Sequence, residues 1–308
     1  MAATRLASTD ALNPSAERAR ITRTLPPPAV ERSAFKIYPD GLENETFWGL
    51  LKIYAWEWLA VVLLAVSGAL IELVPPYERV AWASDRGIAY PLIKETVPNW
   101  ALGIIAIPIP IIIILLVSGF SRKTPRNYDI QTSLLGLGTA LAFTLLLTQI
   151  VKVAVGGLRP DFLARCKPII DPTDTLLHRV QSCTGDPEQI KEGRKSFFSG
   201  HSSFSHASMS YLSLYLSRHL SFTTPPIALK YILCLLPLIA AALVAISRVD
   251  NYWHRWPDVV VGAIVGYCVG ILSYKYHNVP SHPAAMGETD ALGGGEAEGE
   301  RKMVEALE

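Results

Sequence analysis

Residues 247–258 read Ser-Arg-Val-Asp-Asn-Tyr-Trp-His-Arg-Trp-Pro-Asp and separate two long apolar runs. A short turn would be enough at this point, yet the stretch contains cationic, imidazole and carboxylate side chains. Polar groups kept at a membrane boundary usually serve a function. If a helix begins at Pro257, Asp258 lies in its first turn, next to His254 four residues earlier. Two interpretations are open: the pair caps the helix, or the carboxylate orients the imidazole for chemistry.

The composition indicates a polytopic membrane protein. Half of the 308 residues are hydrophobic, 18% are charged, and the apolar residues are clustered in long runs. The net charge of +1 gives no indication of a nucleic-acid partner. The N-terminal stretch is rich in Ser, Thr, Pro and Arg and lacks the apolar segment of a signal peptide, which predicts a disordered cytosolic tail over residues 1–45. Residues 280–308, rich in Gly and Glu, predict a second disordered cytosolic tail.

Six segments have the length of about twenty mostly apolar residues that a spanning helix needs. They run approximately over residues 53–73, 100–120, 130–155, 199–220, 227–246 and 257–276. The fourth is the most polar because it carries a row of serines. The sixth has Gly262, Gly266 and Gly270 at every fourth position, a pattern typical of close helix packing. We therefore predict an all-α bundle of six transmembrane helices over residues 46–279.

The loop at residues 121–129 orients this bundle. It contains Arg122, Lys123 and Arg126, and short basic loops are retained on the cytosolic side. With six spans, the ends of the third and fifth helices and the starts of the fourth and sixth lie on the opposite, non-cytosolic face. Cys166 and Cys183 share the long loop on that face, where they could be bridged in an oxidising compartment or remain free.

The same face gathers six residues that are suited to chemistry. They are Lys152, Arg159, His201, Arg248, His254 and Asp258. Three cations beside a helix start form an anion site, for which phosphate is the obvious ligand. Ser199 and Gly200 begin that helix, and Ser199 is better suited to capping it and contacting phosphate than to attack as a nucleophile. Trp253 and Trp256 are typical of an interfacial aromatic belt.

Phosphoryl transfer needs a positioned phosphate, neutralised charge and an in-line nucleophile. His254 can be that nucleophile, with Asp258 holding its other ring nitrogen. His201 can protonate the leaving oxygen and later activate water. The six residues include only one carboxylate and no His-x-x-x-His pattern, so we predict neither a metal nor a cofactor.

Three motifs carry a family resemblance. The first is Lys152 followed, after six residues, by Arg159-Pro160. The second is Ser199-Gly200-His201. The third is Ser247-Arg248 followed, after five residues, by His254 and, after three more, by Asp258. Over residues 46–277 the chain resembles the type 2 phosphatidic acid phosphatase superfamily, in particular its lipid phosphate phosphatase and diacylglycerol pyrophosphate phosphatase branch. Phe198 stands where that family usually has proline.

The resemblance implies a magnesium-independent hydrolase of membrane lipid phosphates, with the bilayer as its surroundings. Phosphatidic acid, lysophosphatidic acid, sphingoid base phosphates and diacylglycerol pyrophosphate are the substrates it suggests. It implies a phosphohistidine at His254, helped by Asp258 and His201. The implied phosphate ligands are Lys152, Arg159, Ser199, Gly200 and Arg248.

Three alternatives to hydrolysis of these lipids stay open. A lipid phosphotransferase or a polyprenyl phosphate phosphatase would use the same motifs, and a non-catalytic lipid-binding relative would be expected to lack one of the six residues. Both a monomer and an oligomer are compatible with the sequence.

Overall fold

The computed structural model describes residues 41–42, 44–120, 124–170, 179–220 and 227–278. The predicted tails fall outside these ranges, except for residues 41, 42, 44 and 45. Arg122 and Lys123, on which the predicted orientation depends, also lie outside the described residues. What is described is mostly helical, as predicted.

The described residues form ten α-helices. They are α1 (Phe47–Ile53), α2 (Ala55–Leu73), α3 (Asn99–Ala106), α4 (Pro108–Phe120), α5 (Arg126–Val155), α6 (Phe162–Cys166), α7 (Pro187–Gly193), α8 (Gly200–His219), α9 (Ile227–Asp250) and α10 (Trp256–Asn278). A 3-10 turn occupies Arg86–Ile88. Two short strands, β1 (Pro168–Ile170) and β2 (Val180–Cys183), pair antiparallel in the long loop. This hairpin is the one departure from the predicted all-α architecture among the described elements.

Five stretches of the described chain are long and apolar enough to cross a membrane. They are Ala55–Leu73, Asn99–Phe120, Arg126–Val155, Ile227–Asp250 and Trp256–Asn278. Each corresponds to one of the predicted spans, and the chain is a multi-pass membrane protein. The fourth predicted span, helix α8, has twenty residues but does not meet the hydropathy criterion.

The polarity of α8 follows from its position inside the bundle, packed against α5, α9 and α10. Five of its serine side chains are buried and donate to backbone carbonyls: Ser202, Ser203, Ser205, Ser208 and Ser210. Ser202 donates to Val259 O (2.7 Å), and Ser208 donates to Ala106 O (2.7 Å). Buried hydroxyls are tolerated when each has a partner, and between membrane helices such bonds hold the helices together.

The glycine stripe of α10 packs directly on α8, as its spacing predicts. A Cβ atom added to Gly266 would lie 2.1 Å from Ser203 O, and one added to Gly262 would lie 2.6 Å from Ser199 O. Only glycine allows this approach of two helix backbones. The contact brings the N-terminal ends of α8 and α10 together, and the Ser199 N–H donates to Asp258 O (3.0 Å).

Proline interrupts one apolar stretch and glycine ends another helix. Pro108, which lacks an N–H, separates α3 from α4 within one apolar stretch. Gly156 ends α5 in the left-handed conformation, with φ +58°, and a Cβ there would lie 1.8 Å from Tyr77 O. This turn leads the chain from Lys152 to Arg159.

The described parts of the long loop after α5 pack against the segment between α2 and α3. Ala81 and Ile88 of that segment are buried together with Phe162 and Cys166 of the loop. Cys166 and Cys183 form a disulfide, with their Cα atoms 4.6 Å apart. These contacts fix the described parts of the loop beside the predicted site.

Candidate active site

All eight residues predicted for phosphate binding and catalysis lie at one end of the bundle, around a cavity of about 450 Å³. Those that line the cavity are Lys152, Arg159, Gly200, His201 and His254. Ser199, Arg248 and Asp258 are buried in contact with these residues or their helices. The structure thus joins segments that lie far apart in the sequence.

The three cations reach this end from different segments. Lys152 comes from the last turn of α5, and its Nζ would lie 3.4 Å from a Cβ atom on Gly200. Arg159 and Arg248 are both buried. Among the described residues, Arg159 Nε and Nη1 and Arg248 Nη2 have no hydrogen-bond partner. Buried guanidinium nitrogens without partners are costly, and they define a site for an anion.

The start of α8 contributes backbone groups to the site. Ser199 is the N-cap of this helix, and its side chain accepts a hydrogen bond from the Ser202 N–H (3.5 Å), so the predicted capping role is confirmed. The first N–H groups of a helix carry partial positive charge and suit an anion. Gly200, which lines the cavity, exposes this helix end to it.

His254 is buried beside Asp258. Burial lowers the pKa of His254 to about 4; Asp258 opposes this shift, and the nearby charges of Arg159 and Lys152 add to it. The imidazole is therefore neutral at neutral pH, the form that can attack as a nucleophile. Its Nδ1 lies 3.8 Å from Asp258 Oδ2, so a small movement would form the hydrogen bond that leaves Nε2 free.

His201 faces the same cavity. Its Nε2 lies 3.0 Å from Val97 O, and because a carbonyl only accepts, this nitrogen carries the hydrogen. Arg248 Nη1 lies 3.4 Å from the same nitrogen. The ring lies at the cavity wall, where its imidazolium form could give a proton to a leaving group.

Ser196 supports the carboxylate of the predicted pair and was not among the predicted residues. Its hydroxyl donates to Asp258 Oδ2 (2.6 Å), and the Arg255 N–H donates to the same oxygen (3.2 Å). Ser196 lies three residues before Ser199, but no spacing or charge in the sequence marks it.

Trp253 has contacts that the predicted role in an interfacial aromatic belt does not explain. Its ring centroid lies 4.6 Å from the Cζ of Arg159, 4.5 Å from that of Arg165 and 5.8 Å from that of Arg248. Trp253 also lines the cavity, so it belongs to the site and stacks with its cations. Trp256, in contrast, is 69% exposed, as a belt residue would be.

Three glutamates line the cavity and were not predicted: Glu72, Glu95 and Glu192. Glu192 pairs with Arg159, and Glu95 Oε2 accepts from Arg248 Nη1 (2.8 Å). Burial alone would raise the pKa of Glu192, but Arg159 and Lys152 outweigh it and lower the pKa to about 2. Within the described ranges, no group of three or more His, Cys, Asp or Glu side chains could hold a metal ion.

A helical membrane bundle with buried arginines, a lysine and two histidines around one cavity defines a membrane protein built to bind an anion such as a phosphate ester. Comparison with known proteins agrees with this class. The sequence model of the PAP2 superfamily matches residues 133–280. Together with the relatives below, this match shows that the chain belongs to the PAP2 superfamily.

Several curated proteins are similar over most of their length. Lipid phosphate phosphatase 2 of Arabidopsis thaliana is 38% identical over 242 residues, which cover 77% of this chain and 81% of that protein. Diacylglycerol pyrophosphate phosphatase 1 of Saccharomyces cerevisiae is 35% identical, covering 65% and 71%. Phospholipid phosphatase 1 of Rattus norvegicus is 34% identical, covering 65% and 76%. No solved structure matches the chain significantly.

The stacking of Trp253 generates a prediction about anion affinity. Trp253→Leu should raise the Kd for orthovanadate about tenfold, because Arg159 and Arg248 lose a cation–π contact that orients them. Trp253→Phe should restore most of the affinity. Isothermal titration of the purified protein measures both, and Trp256→Leu is the matched control. Equal affinities for Trp253→Leu and Trp256→Leu would refute the positioning role.

Proposed function

We propose that the protein is a phosphatidate phosphatase acting on membrane lipid phosphates. The observation that carries the proposal is one cavity lined by both charged and apolar side chains. Lys152, Arg159 and the two histidines line it, and so do Leu102, Leu145 and Phe204. An amphipathic phosphate monoester presents matching chemistry at its two ends.

In the proposed reaction, His254 Nε2 attacks phosphorus and the bond from phosphorus to the lipid oxygen breaks. His201 gives its proton to that oxygen, which leaves as the alcohol of diacylglycerol when phosphatidic acid is the substrate. A water molecule then attacks the phosphohistidine, His201 takes its proton, and inorganic phosphate is released. Asp258 stabilises the positive charge of His254 while it carries the phosphoryl group.

The cations supply electrostatic stabilisation in this scheme. Lys152, Arg159 and Arg248 neutralise the equatorial oxygens, and Ser199 and Gly200 add their contacts at the start of α8. The fixed positive charges take the part that a divalent metal takes in other phosphatases. We therefore propose a magnesium-independent reaction.

The names of the relatives support the lipid substrate class, since they include lipid phosphate phosphatases and diacylglycerol pyrophosphate phosphatases. On this basis we extend the proposal to lysophosphatidic acid, sphingoid base phosphates and diacylglycerol pyrophosphate. A phosphotransferase would pass the same phosphoryl group to an alcohol, and a polyprenyl phosphate phosphatase would accept a longer tail.

For topology, we propose six spans, with α8 as the fourth of them and its serines facing the other helices. The site then lies on the non-cytosolic side, and both termini are cytosolic. The disulfide between Cys166 and Cys183 supports this side, because disulfides persist in oxidising compartments. In this proposal residues 46–279 form the enzyme domain, and residues 1–45 and 280–308 form cytosolic tails.

A panel of lipids tests the function. The purified protein should release phosphate from phosphatidic acid, and the rate should be unchanged by a chelator, because positively charged side chains replace a metal. A malachite green assay with phosphatidic acid, sphingoid base phosphate and polyprenyl phosphate measures release, with and without added alcohol acceptor. Loss of activity on chelation, restored by magnesium, would contradict the mechanism; transfer to the alcohol in place of release would favour the transferase.

Accessibility tests the proposed topology. An epitope tag inserted next to Glu188, on α7, should be labelled on the non-cytosolic side of sealed membranes. A tag next to Lys123 should be labelled only after permeabilisation, because the two positions lie on opposite faces of a six-span bundle. Labelling of both tags on the same side would rule out the six-span arrangement.

A further inference from the structure

The mechanism leaves two carboxylates at the phosphate site without a role. Arg159 is paired with Glu192, and Arg248 donates to Glu95 Oε2 (2.8 Å). Both glutamates line the cavity that holds the catalytic histidines. Each arginine proposed to bind phosphate therefore already has an anionic partner, and each partner comes from a different segment, α7 or the loop before α3.

We propose that Glu192 and Glu95 compete with phosphate for Arg159 and Arg248, and so keep the affinity of the site for free inorganic phosphate low. This inference rests on the proposed function, because it concerns how the product leaves the same site. It assigns to the two glutamates a role in setting affinity, not in the chemical step.

The burial of the four side chains shows which partners would move. The side chains of Arg159 and Arg248 are 2% and 0% exposed, whereas those of Glu192 and Glu95 are 37% and 20% exposed. The arginines are enclosed by the protein, and the glutamates have solvent to rotate into. An incoming phosphate would first contact the guanidinium nitrogens that have no partner, which are Arg159 Nε and Nη1 and Arg248 Nη2. The glutamates would then rotate away.

The charge of Glu192 opposes the binding of phosphate. Burial would raise its pKa, but Arg159 and Lys152 outweigh burial and lower the pKa to about 2, so Glu192 is ionised at neutral pH in the unliganded site. A phosphate that binds beside an ionised carboxylate is repelled by it, and the repulsion is strong in a partly buried cavity.

The competition affects substrate and product differently. A lipid phosphate can gain further binding from the apolar side chains that line the cavity, Leu102, Leu145 and Phe204. Free phosphate has no apolar part and cannot offset the cost of displacing the glutamates. The site therefore holds the substrate and releases the product.

Titration of inorganic phosphate into the purified variants tests this role. Glu192→Gln should lower the Kd for phosphate by about tenfold, equivalent to about 1.4 kcal/mol. Glu95→Gln should also lower the Kd for phosphate, and the double variant should have the lowest Kd. Glu188→Gln removes a charge from the exposed face of the same helix as Glu192 and should leave the Kd unchanged.

Product inhibition of turnover provides the second readout. The inhibition constant for phosphate should fall in the glutamine variants in parallel with the Kd. An unchanged or raised Kd in a folded variant would overturn the proposal, and a raised Kd would mean that the glutamates position the arginines. If Glu192→Gln does not fold, Glu95→Gln tests the other arginine independently.

The titration needs no turnover, so it is separate from the test of the proposed function. A wild-type protein that releases no phosphate from any lipid would refute the function. The response of phosphate affinity to the glutamate variants would still decide whether the carboxylates compete.

Discussion

The structure depends on the burial of positive charge at one end of a membrane bundle. Two guanidinium groups are almost completely enclosed there, next to Lys152 in the last turn of α5. Buried charge is stable only with a partner, and in this protein the partners are glutamates and an aromatic ring. The nitrogens that remain unpaired among the described residues mark the position where a phosphate would complete the arrangement.

Helix packing brings these charges together. The glycine stripe of α10 lets α8 approach until Ser199 bonds to the backbone of Asp258, so the second and third motifs share one corner. The left-handed turn at Gly156 brings the first motif to the same corner. The segment between the disulfide and α8 then supplies Glu192 and Ser196. Scaffold and site are therefore built by the same few contacts.

Much of this arrangement could be predicted from local patterns. Five spans follow from apolar length, the break at Pro108 from a missing N–H, and the common location of the eight predicted residues from their positions near helix ends. The α8 segment could not be assigned by hydropathy because its polar side faces other helices. Glu95 bonds to Arg248 across 153 residues, and Glu192 to Arg159 across 33, so no local pattern reveals either pair. The sequence predicts an interfacial role for Trp253, because the three guanidinium groups that surround its ring come together only in the folded protein.

In the proposed mechanism the charge cluster holds the phosphoryl group for attack by His254. Rapid quenching of the protein with radiolabelled phosphatidic acid, followed by peptide mapping, identifies the residue that carries the phosphoryl group. We expect an acid-labile, base-stable label on His254 that is absent from His254→Ala and retained in a folded His206→Ala control. An acid-stable label on Ser199, or full turnover by His254→Ala, would contradict it.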